Sequence, residues 1–389
     1  MRTLLLSEFF LPQKGGSVTW LANLYSRFPD GVVRVLAGSC EGDREPVVGF
    51  DHPVERVPMT MPDRDPTVPG TFGHYFRIIR KVFGICRREK IEQIHCGKVL
   101  PEAWVALCLR AFCRIPFLVF AHGEEITTGF LSRRLRLLLP FVYKRASAII
   151  ANSENTKKIL VELGVPHEKV HVLHPSVPVD QFRDAGREGA RIRERHGLGE
   201  GPVLLTVGRL QKRKGHDRTI EALPRLVESF PGLRYVIVGT GEERERLAEL
   251  ASRLGVEENV VFSGLVTDGD LPGYYGACDL FLMPNRTEKS DIEGFGIVFL
   301  EAAAAHKPSI AGASGGAGEA VVDGVTGLLV DGDRVDDVSC AVQRLLADPA
   351  GARRMGEAGY DRVRREFTYE RAAVRLGEIS KGCPGGSAR

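Results

Sequence analysis

With 389 residues, 43% of them hydrophobic, the chain is long enough to bury two cores, and two domains are the expectation. Its 53 Lys and Arg against 50 Asp and Glu leave a formal charge of +3, which excludes a protein held to a polyanion by bulk charge. The eight cysteines are scattered with no Cys-x-x-Cys pair, which argues against a zinc ribbon or a disulfide scaffold and for reduced thiols in a cytosolic compartment.

In chain order, Leu4-Leu5-Leu6 open an apolar run that Ser7-Glu8 ends too early for a signal peptide, and no later run reaches the roughly 18 apolar residues of a membrane span. Short apolar runs at 2–6, 33–37, 93–95, 117–121 and 147–151 predict buried strands. Amphipathic stretches at 20–28, 73–89, 101–112 and 132–145 predict helices between them. The second half repeats the rhythm, with strands at 203–207, 235–238, 260–263, 280–283, 309–311 and 327–330. Its expected helices are 218–229, 242–254, 270–277, 295–305, 315–322 and 335–347. Continuous apolar strands alternating with helices predict parallel sheets covered on both faces, an α/β chain of two doubly wound domains. The polar, Gly- and Arg-rich stretch 184–201 is read as the break between them, and the tail 381–389 as frayed.

Basic residues concentrate in two segments of the first half. One carries Arg77, Arg80, Lys81, Arg87, Arg88 and Lys90 among Phe72, Phe76, Ile79 and Phe83; the other carries Arg133, Arg134, Arg136, Lys144 and Arg145 around an apolar run. Two readings stand: solvated helix faces, or amphipathic helices lying on an anionic membrane surface.

Three constellations carry chemistry. Gly15-Gly16 lies where the first strand turns into a helix, a place where backbone amides can approach an anion; taken alone it is equally a plain tight turn. After the strand 203–207 comes Gly208-Arg209-Leu210-Gln211-Lys212-Arg213-Lys214-Gly215, a basic loop at the carboxyl end of a strand, where open α/β sheets bind ligands. Arg and Lys together suit a diphosphate, with a solvated loop as the other reading. The third is Glu293-Gly294-Phe295-Gly296-Ile297 through Glu301, after the strand 280–283. There the amides of a helix start point at a ligand and Glu293 can accept hydrogen bonds from sugar hydroxyls; Glu301, among apolar neighbours, needs partners that ribose hydroxyls would supply, or is a satisfied structural glutamate.

Glu293, seven residues, Glu301 resembles the signature of retaining glycosyltransferases of family GT4 with the GT-B fold. The resemblance runs along nearly the whole chain: Gly15-Gly16, Ala121-His122-Gly123, Asn152-Ser153-Glu154, Gly208-Arg209 to Lys214-Gly215, Val238-Gly239-x-Gly241, Phe262-x-Gly264 and Gly324-x-x-Gly327. The stretch 292–302, with Ala311-Gly312 and Gly315-Gly316, is most similar to the phosphatidylinositol mannosyltransferase branch.

The resemblance implies two Rossmann-like domains facing a central cleft. The acceptor-side domain would span 1–183, the nucleotide-sugar domain 184–366, and a final helix 367–380 would cross back to the first. Arg209 and Lys214 would bind the donor diphosphate, Glu301 the ribose hydroxyls, and Val266 the base. Glu293 and the amides of Phe295, Gly296 and Ile297 would hold the sugar and phosphate, Gly15 and Gly16 would approach the donor, and His122 would lie near the transferred sugar. It also implies transfer of a hexosyl group with retention, GDP-mannose leading and UDP-glucose or UDP-N-acetylglucosamine as alternative donors. The acceptor would be a hydroxyl of a lipid, a lipid-linked glycan or a small molecule in polysaccharide or glycolipid synthesis. No cofactor, metal or nucleic acid is expected, and the location is cytoplasmic, with a peripheral contact at the inner membrane face.

Several rival signals read otherwise. Asp268-Gly269-Asp270 and Asp331-Gly332-Asp333 spell an Asp-x-Asp, but each follows a strand and contains Gly, the composition of turns and caps. His171 and His174, near His167, should face opposite sides of a strand, which argues against zinc. Many relatives carry Asn-Gly before the Val-Asp of the interdomain segment, where this chain has Pro175-Ser176-Val177-Pro178-Val179-Asp180. An epimerase, a phosphorylase without an identifiable pyridoxal lysine, and a catalytically silent nucleotide-sugar-binding protein complete the rivals.

Overall fold

The computed structural model describes residues 1–13, 15–40, 49–61, 64–129, 132, 134–289 and 291–383; Lys14 of the first turn, Arg133 of the second basic segment and the tail from 384 lie outside them. The apolar runs form strands buried on both faces and paired in parallel. Met1–Pro175 with Tyr369–Arg389 make one unit and Ser176–Thr368 the other.

In the first unit β1 (Thr3–Ser7), β2 (Val33–Gly38), β3 (Val54–Val57), β4 (Gln93–Cys96), β5 (Phe117–Ala121), β6 (Ala148–Ala151) and β7 (Val170–Val172) form a seven-stranded sheet ordered β3-β2-β1-β4-β5-β6-β7. One face packs Leu4, Leu6, Ile94 and Val119 on the helix Phe72–Glu89 through Tyr75, Ile78, Val82 and Ile85. The other packs Leu5, Val35, Phe120 and Ile150 on Trp20, Leu24 and Tyr25 of the helix Gly16–Tyr25 and on Tyr369, Leu376 and Ile379 of the helix Tyr369–Gly382. β3 and β7 were not expected from the sequence. Both are short edge strands, and Val-Glu-Arg-Val lacks the continuous apolar run of a central strand.

In the second unit β8 (Val203–Val207), β9 (Arg234–Val238), β10 (Val260–Gly264), β11 (Leu280–Met283), β12 (Ser309–Gly312) and β13 (Gly327–Val330) form a six-stranded sheet ordered β10-β9-β8-β11-β12-β13. The order reverses between β1 and β4 in one sheet and between β8 and β11 in the other. Outside the carboxyl ends of strands at such a point a doubly wound sheet leaves its ligand crevice.

The stretch 184–201, read from sequence as an interdomain break, is mostly the helix Ala185–Arg195 and lies inside the second unit. It buries Ala185, Gly189 and Ile192 against the helix Leu271–Ala277, so closely that a Cβ on Gly189 would fall 2.4 Å from the Gly276 carbonyl carbon. The division falls at Pro175–Ser176 rather than at 183–184, because the Val177 N–H donates to the Phe367 carbonyl (3.0 Å) and Phe182 packs edge-on to Tyr275 (5.7 Å). Among the described residues no helix is long and apolar enough to cross a membrane.

Candidate functional site

Two loops meet at the β8–β11 switch of the second unit. The first, 208–215, leaves β8 and enters the helix His216–Ser229. The second, 284–296, leaves β11 and enters the helix Ile297–Ala304. Between them lies a cluster of buried charge. Lys214 Nζ donates to Glu293 Oε2 at 2.5 Å, and Arg213 Nη1 donates to the same oxygen at 2.7 Å. Arg213 Nε also lies 3.0 Å from Asp291 Oδ2, and Lys212 Nζ lies 3.1 Å from Glu288.

Burial alone would push the Glu293 carboxyl up, but the Lys214 and Arg213 cations outweigh it and hold it at about 2. It is therefore a carboxylate at neutral pH. Burial pulls the Lys214 ammonium below its ordinary value, with Glu293 opposing and Arg213 and Arg209 adding to the fall. Arg209 stands exposed at the start of the same loop.

The floor beneath the loops is rigid. Arg286 donates both Nη1 (2.9 Å) and Nη2 (2.8 Å) to the Asp217 carboxylate, a buried two-pronged pair, and its own N–H donates to the Arg213 carbonyl at 2.8 Å. His216 is buried against Tyr235 and the Arg209 carbonyl, and burial holds its pKa down at about 4. The Gly316 N–H donates to the Glu293 carbonyl at 2.9 Å, tying the second loop to the segment after β12.

Gly296, at a φ of +87°, turns the chain into the Ile297–Ala304 helix, leaving the first-turn amides without a capping side chain. The Phe295 side chain is core, against Phe367 at 5.9 Å, so what it can offer a ligand is its backbone. Glu301 projects from that helix and accepts from the Tyr275 hydroxyl at 2.6 Å. Burial, with Asp268 nearby, raises its pKa against the Tyr275 bond. Val266 is half-buried beside the same core.

The two Asp-x-Asp stretches have other partners: Asp270 pairs with Arg195 at 3.4 Å, and Asp331 Oδ1 accepts the Asp333 N–H at 3.0 Å, an Asx turn. The helix-cap role expected of Asp270 is not seen; its side chain makes no capping hydrogen bond.

In the first unit Gly15 and Gly16 are exposed at the start of the Gly16–Tyr25 helix, whose first turn holds no acidic residue. His122 follows β5. Its Nε2 donates to the Gly97 carbonyl at 2.9 Å, which leaves Nδ1 as the unprotonated nitrogen of the neutral ring, and Trp20 packs edge-on to it at 5.7 Å. Burial pulls its pKa below the ordinary value against Glu125 and the Gly97 bond.

The structure thus brings Lys214 and Glu293 into contact and sets Arg209, Phe295, Gly296, Ile297 and Glu301 on the same two loops and helix, while Gly15, Gly16 and His122 belong to the other unit. Sequence reasoning passed over Arg213, visible in the basic run but not distinguishable there as the buried partner of Glu293. It also passed over Tyr275 and the Asp217–Arg286 pair, for which the sequence carries no local signal.

Comparison with known proteins follows the same division. Residues 14–181 match the family described as Glycosyltransferase Family 4, and residues 189–362 that described as Glycosyl transferases group 1. The chain is 34% identical over 389 residues to the GDP-mannose-dependent alpha-(1-6)-phosphatidylinositol monomannoside mannosyltransferase of Mycolicibacterium smegmatis, covering 97% of this chain and 98% of that one. It is 30% identical to the GDP-mannose-dependent monoacylated alpha-(1-6)-phosphatidylinositol monomannoside mannosyltransferase of Corynebacterium glutamicum, with 98% of each chain covered. Among solved structures, Anabaena Alr3699/HepE in complex with UDP superposes with a TM-score of 0.84 at 21% identity, over 98% of this chain and 100% of that one.

Proposed function

The chain belongs to glycosyltransferase family 4, with the GT-B fold, and from that membership we propose that this nucleotide-sugar-dependent glycosyltransferase moves mannose from GDP-mannose to a hydroxyl of a lipid or lipid-linked acceptor, with retention of configuration and no metal. The observation that carries the reading is the buried Lys214–Glu293–Arg213 cluster at the switch point of the second sheet. The names borne by relatives aligned end to end support mannose as the sugar and an inositol-phospholipid mannoside as the acceptor class.

In this reading the bond from the anomeric carbon to the diphosphate oxygen breaks, and negative charge develops on that oxygen. Arg209, the amides of Phe295, Gly296 and Ile297, and Lys214 once its ammonium has turned from Glu293 to the diphosphate, are donors held where the charge appears, so they stabilise the transition state. The acceptor oxygen bonds to the anomeric carbon on the face the phosphate leaves, and its proton passes to a phosphate oxygen. Glu293, ionised at neutral pH, accepts from sugar hydroxyls; Glu301, held by Tyr275, accepts from the ribose; Val266 covers the base. From the first unit the same resemblance assigns His122 to the transferred sugar and the Gly15 and Gly16 amides to the donor.

The enzyme is also read as peripheral to a membrane at its inner face. The helix Phe72–Glu89 buries one side and leaves Phe72 (59% exposed) and Phe76 (69%) in solvent beside Arg77, Arg80 and Arg87.

Thermal shift and donor hydrolysis across GDP-mannose, UDP-glucose, UDP-N-acetylglucosamine and the free diphosphates, with and without EDTA, test the donor. Stabilisation by the guanine series with EDTA-insensitive mannose release is the expected result. A response confined to the uracil series transfers the reading to UDP-glucose or UDP-N-acetylglucosamine, and no response to any nucleotide favours a catalytically silent protein.

A further inference from the structure

Glu293 is shared by two cations on a single oxygen. Lys214 and Arg213 both donate to Oε2, and among the described residues Oε1 accepts no hydrogen bond. The two cations are anchored differently. Arg213 is 6% exposed and spans two carboxylates of one loop, Nε against Asp291 (3.0 Å) and Nη1 against Glu293 (2.7 Å), while its carbonyl accepts the Arg286 N–H. Arg286 is in turn locked to Asp217. Among the described residues Lys214 makes one ion pair, through a flexible stem carrying a point charge.

This difference bears on what happens when a diphosphate arrives. If Lys214 were the sole partner of Glu293, turning its ammonium to a phosphate would strand a buried carboxylate, which is strongly unfavourable. With Arg213 in place, Glu293 keeps a counter-charge while Lys214 leaves.

We propose that Arg213 is a positioning residue, the standing counter-charge of Glu293 that releases Lys214 to the donor diphosphate. The inference rests on the reading of the 208–215 loop as the diphosphate site and deepens it. Arg213 need not touch the donor; it acts through Glu293 and Lys214. The same arrangement leaves Glu293 Oε1 with its lone pairs for a sugar hydroxyl.

The test measures GDP and UDP binding to the full chain by calorimetry, with melting curves to establish that each variant is folded. Arg213→Ala is expected to weaken diphosphate binding roughly tenfold or more, because Lys214 is then committed to Glu293, and a hydrogen bond to a charged group is lost to the ligand. Adding Glu293→Gln to Arg213→Ala removes the charge that holds Lys214 and should return the affinity to within about threefold of Glu293→Gln alone. A merely structural role for Arg213 predicts no such rescue. Arg213→Lys, which keeps the charge but not the fork over Asp291 and Glu293, should bind diphosphate more tightly than Arg213→Ala, and still bind it where the alanine variant does not fold.

Unchanged binding by Arg213→Ala, failure of Glu293→Gln to rescue it, or loss of binding in a folded Arg213→Lys each overturns the inference while leaving the diphosphate site standing. If neither nucleotide binds the natural chain, the reading of the loop fails and the inference falls with it.

Discussion

Two buried glutamates ionise in opposite directions, and the difference lies in their neighbours. Glu293 has two cations on one oxygen and is held at about 2. Glu102, in the first unit, is buried with its Oε1 accepting the Glu8 N–H at 2.7 Å and, among the described residues, no hydrogen bond to its Oε2; burial outweighs the Lys98 charge, and its pKa rises to about 7. The signs of the two effects on stability follow. For Glu293 the folded value lies below the unfolded one, so its contribution is present above about pH 4.5 and is lost as pH falls toward 2. For Glu102 the folded value lies above, the folded chain binds the extra proton, and stability is lost as pH rises from about 4.5 through 7. Glu102 alone accounts for up to roughly 3 kcal/mol across that window. Glu102→Gln should therefore flatten the difference between urea unfolding at pH 5 and at pH 8 relative to the natural chain; equal slopes in both proteins would place the titration elsewhere. How far such a site is legible in sequence depends on the residue. Lys214, Glu293 and Glu301 stand out by type and spacing, whereas the pairing of Arg213 rather than Lys212 with Glu293, and of Tyr275 with Glu301, depends on which way each side chain turns once the loops have met.

At the scale of elements, the helix Phe72–Glu89 carries three stripes. Tyr75, Ile78, Val82 and Ile85 face the sheet. At 3.6 residues per turn Phe72, Phe76 and Phe83 fall within about 40° of one another, and Arg77, Arg80, Lys81 and Arg88 occupy the remaining arc. Lys81 (2.7 Å) and Arg88 pair with Glu55 of β3, while among the described residues Arg77 and Arg80 form no ion pair. An apolar stripe beside a basic one that Glu55 neutralises only in part is the profile of a helix lying in a membrane interface. The chain should therefore float with vesicles of phosphatidylcholine containing phosphatidylglycerol and not with phosphatidylcholine alone. Replacing Arg77 and Arg80 by Ala should lower partitioning roughly 30-fold at about 1 kcal/mol per basic residue. Equal flotation by both vesicle types, or by variant and natural chain, would return this helix to the solvated-face reading. The charges of this helix were visible in sequence, because amphipathic periodicity reports exposure directly. Most central strands were visible as short apolar runs, although β4 carries Gln93 and His95. Among what stayed hidden were elements stabilised by contacts alone: β3 and β7 at a sheet edge, and the Ala185–Arg195 helix, polar on most of its surface and fixed by the contact between Gly189 and Gly276.

At the scale of the whole molecule, the chain passes from the first unit to the second at Pro175–Ser176 and returns at Thr368–Tyr369, and its last helix completes the first unit's core. Tyr369, Leu376 and Ile379 close over Trp20, Leu24, Tyr25 and Phe120, so one face of the first sheet is covered only after the second unit has been traversed. Each unit has core clusters of its own, and a cavity made in one should register there first. Leu376, wholly buried, is the sharpest probe. Leu376→Ala should cost the first unit about 2–5 kcal/mol. Native-state hydrogen exchange should then show β1 and β5 amides losing protection by that amount while β8 and β11 keep theirs. If protection falls equally in both sheets, the two units unfold as a single cooperative body, and the returning helix is the element that couples them.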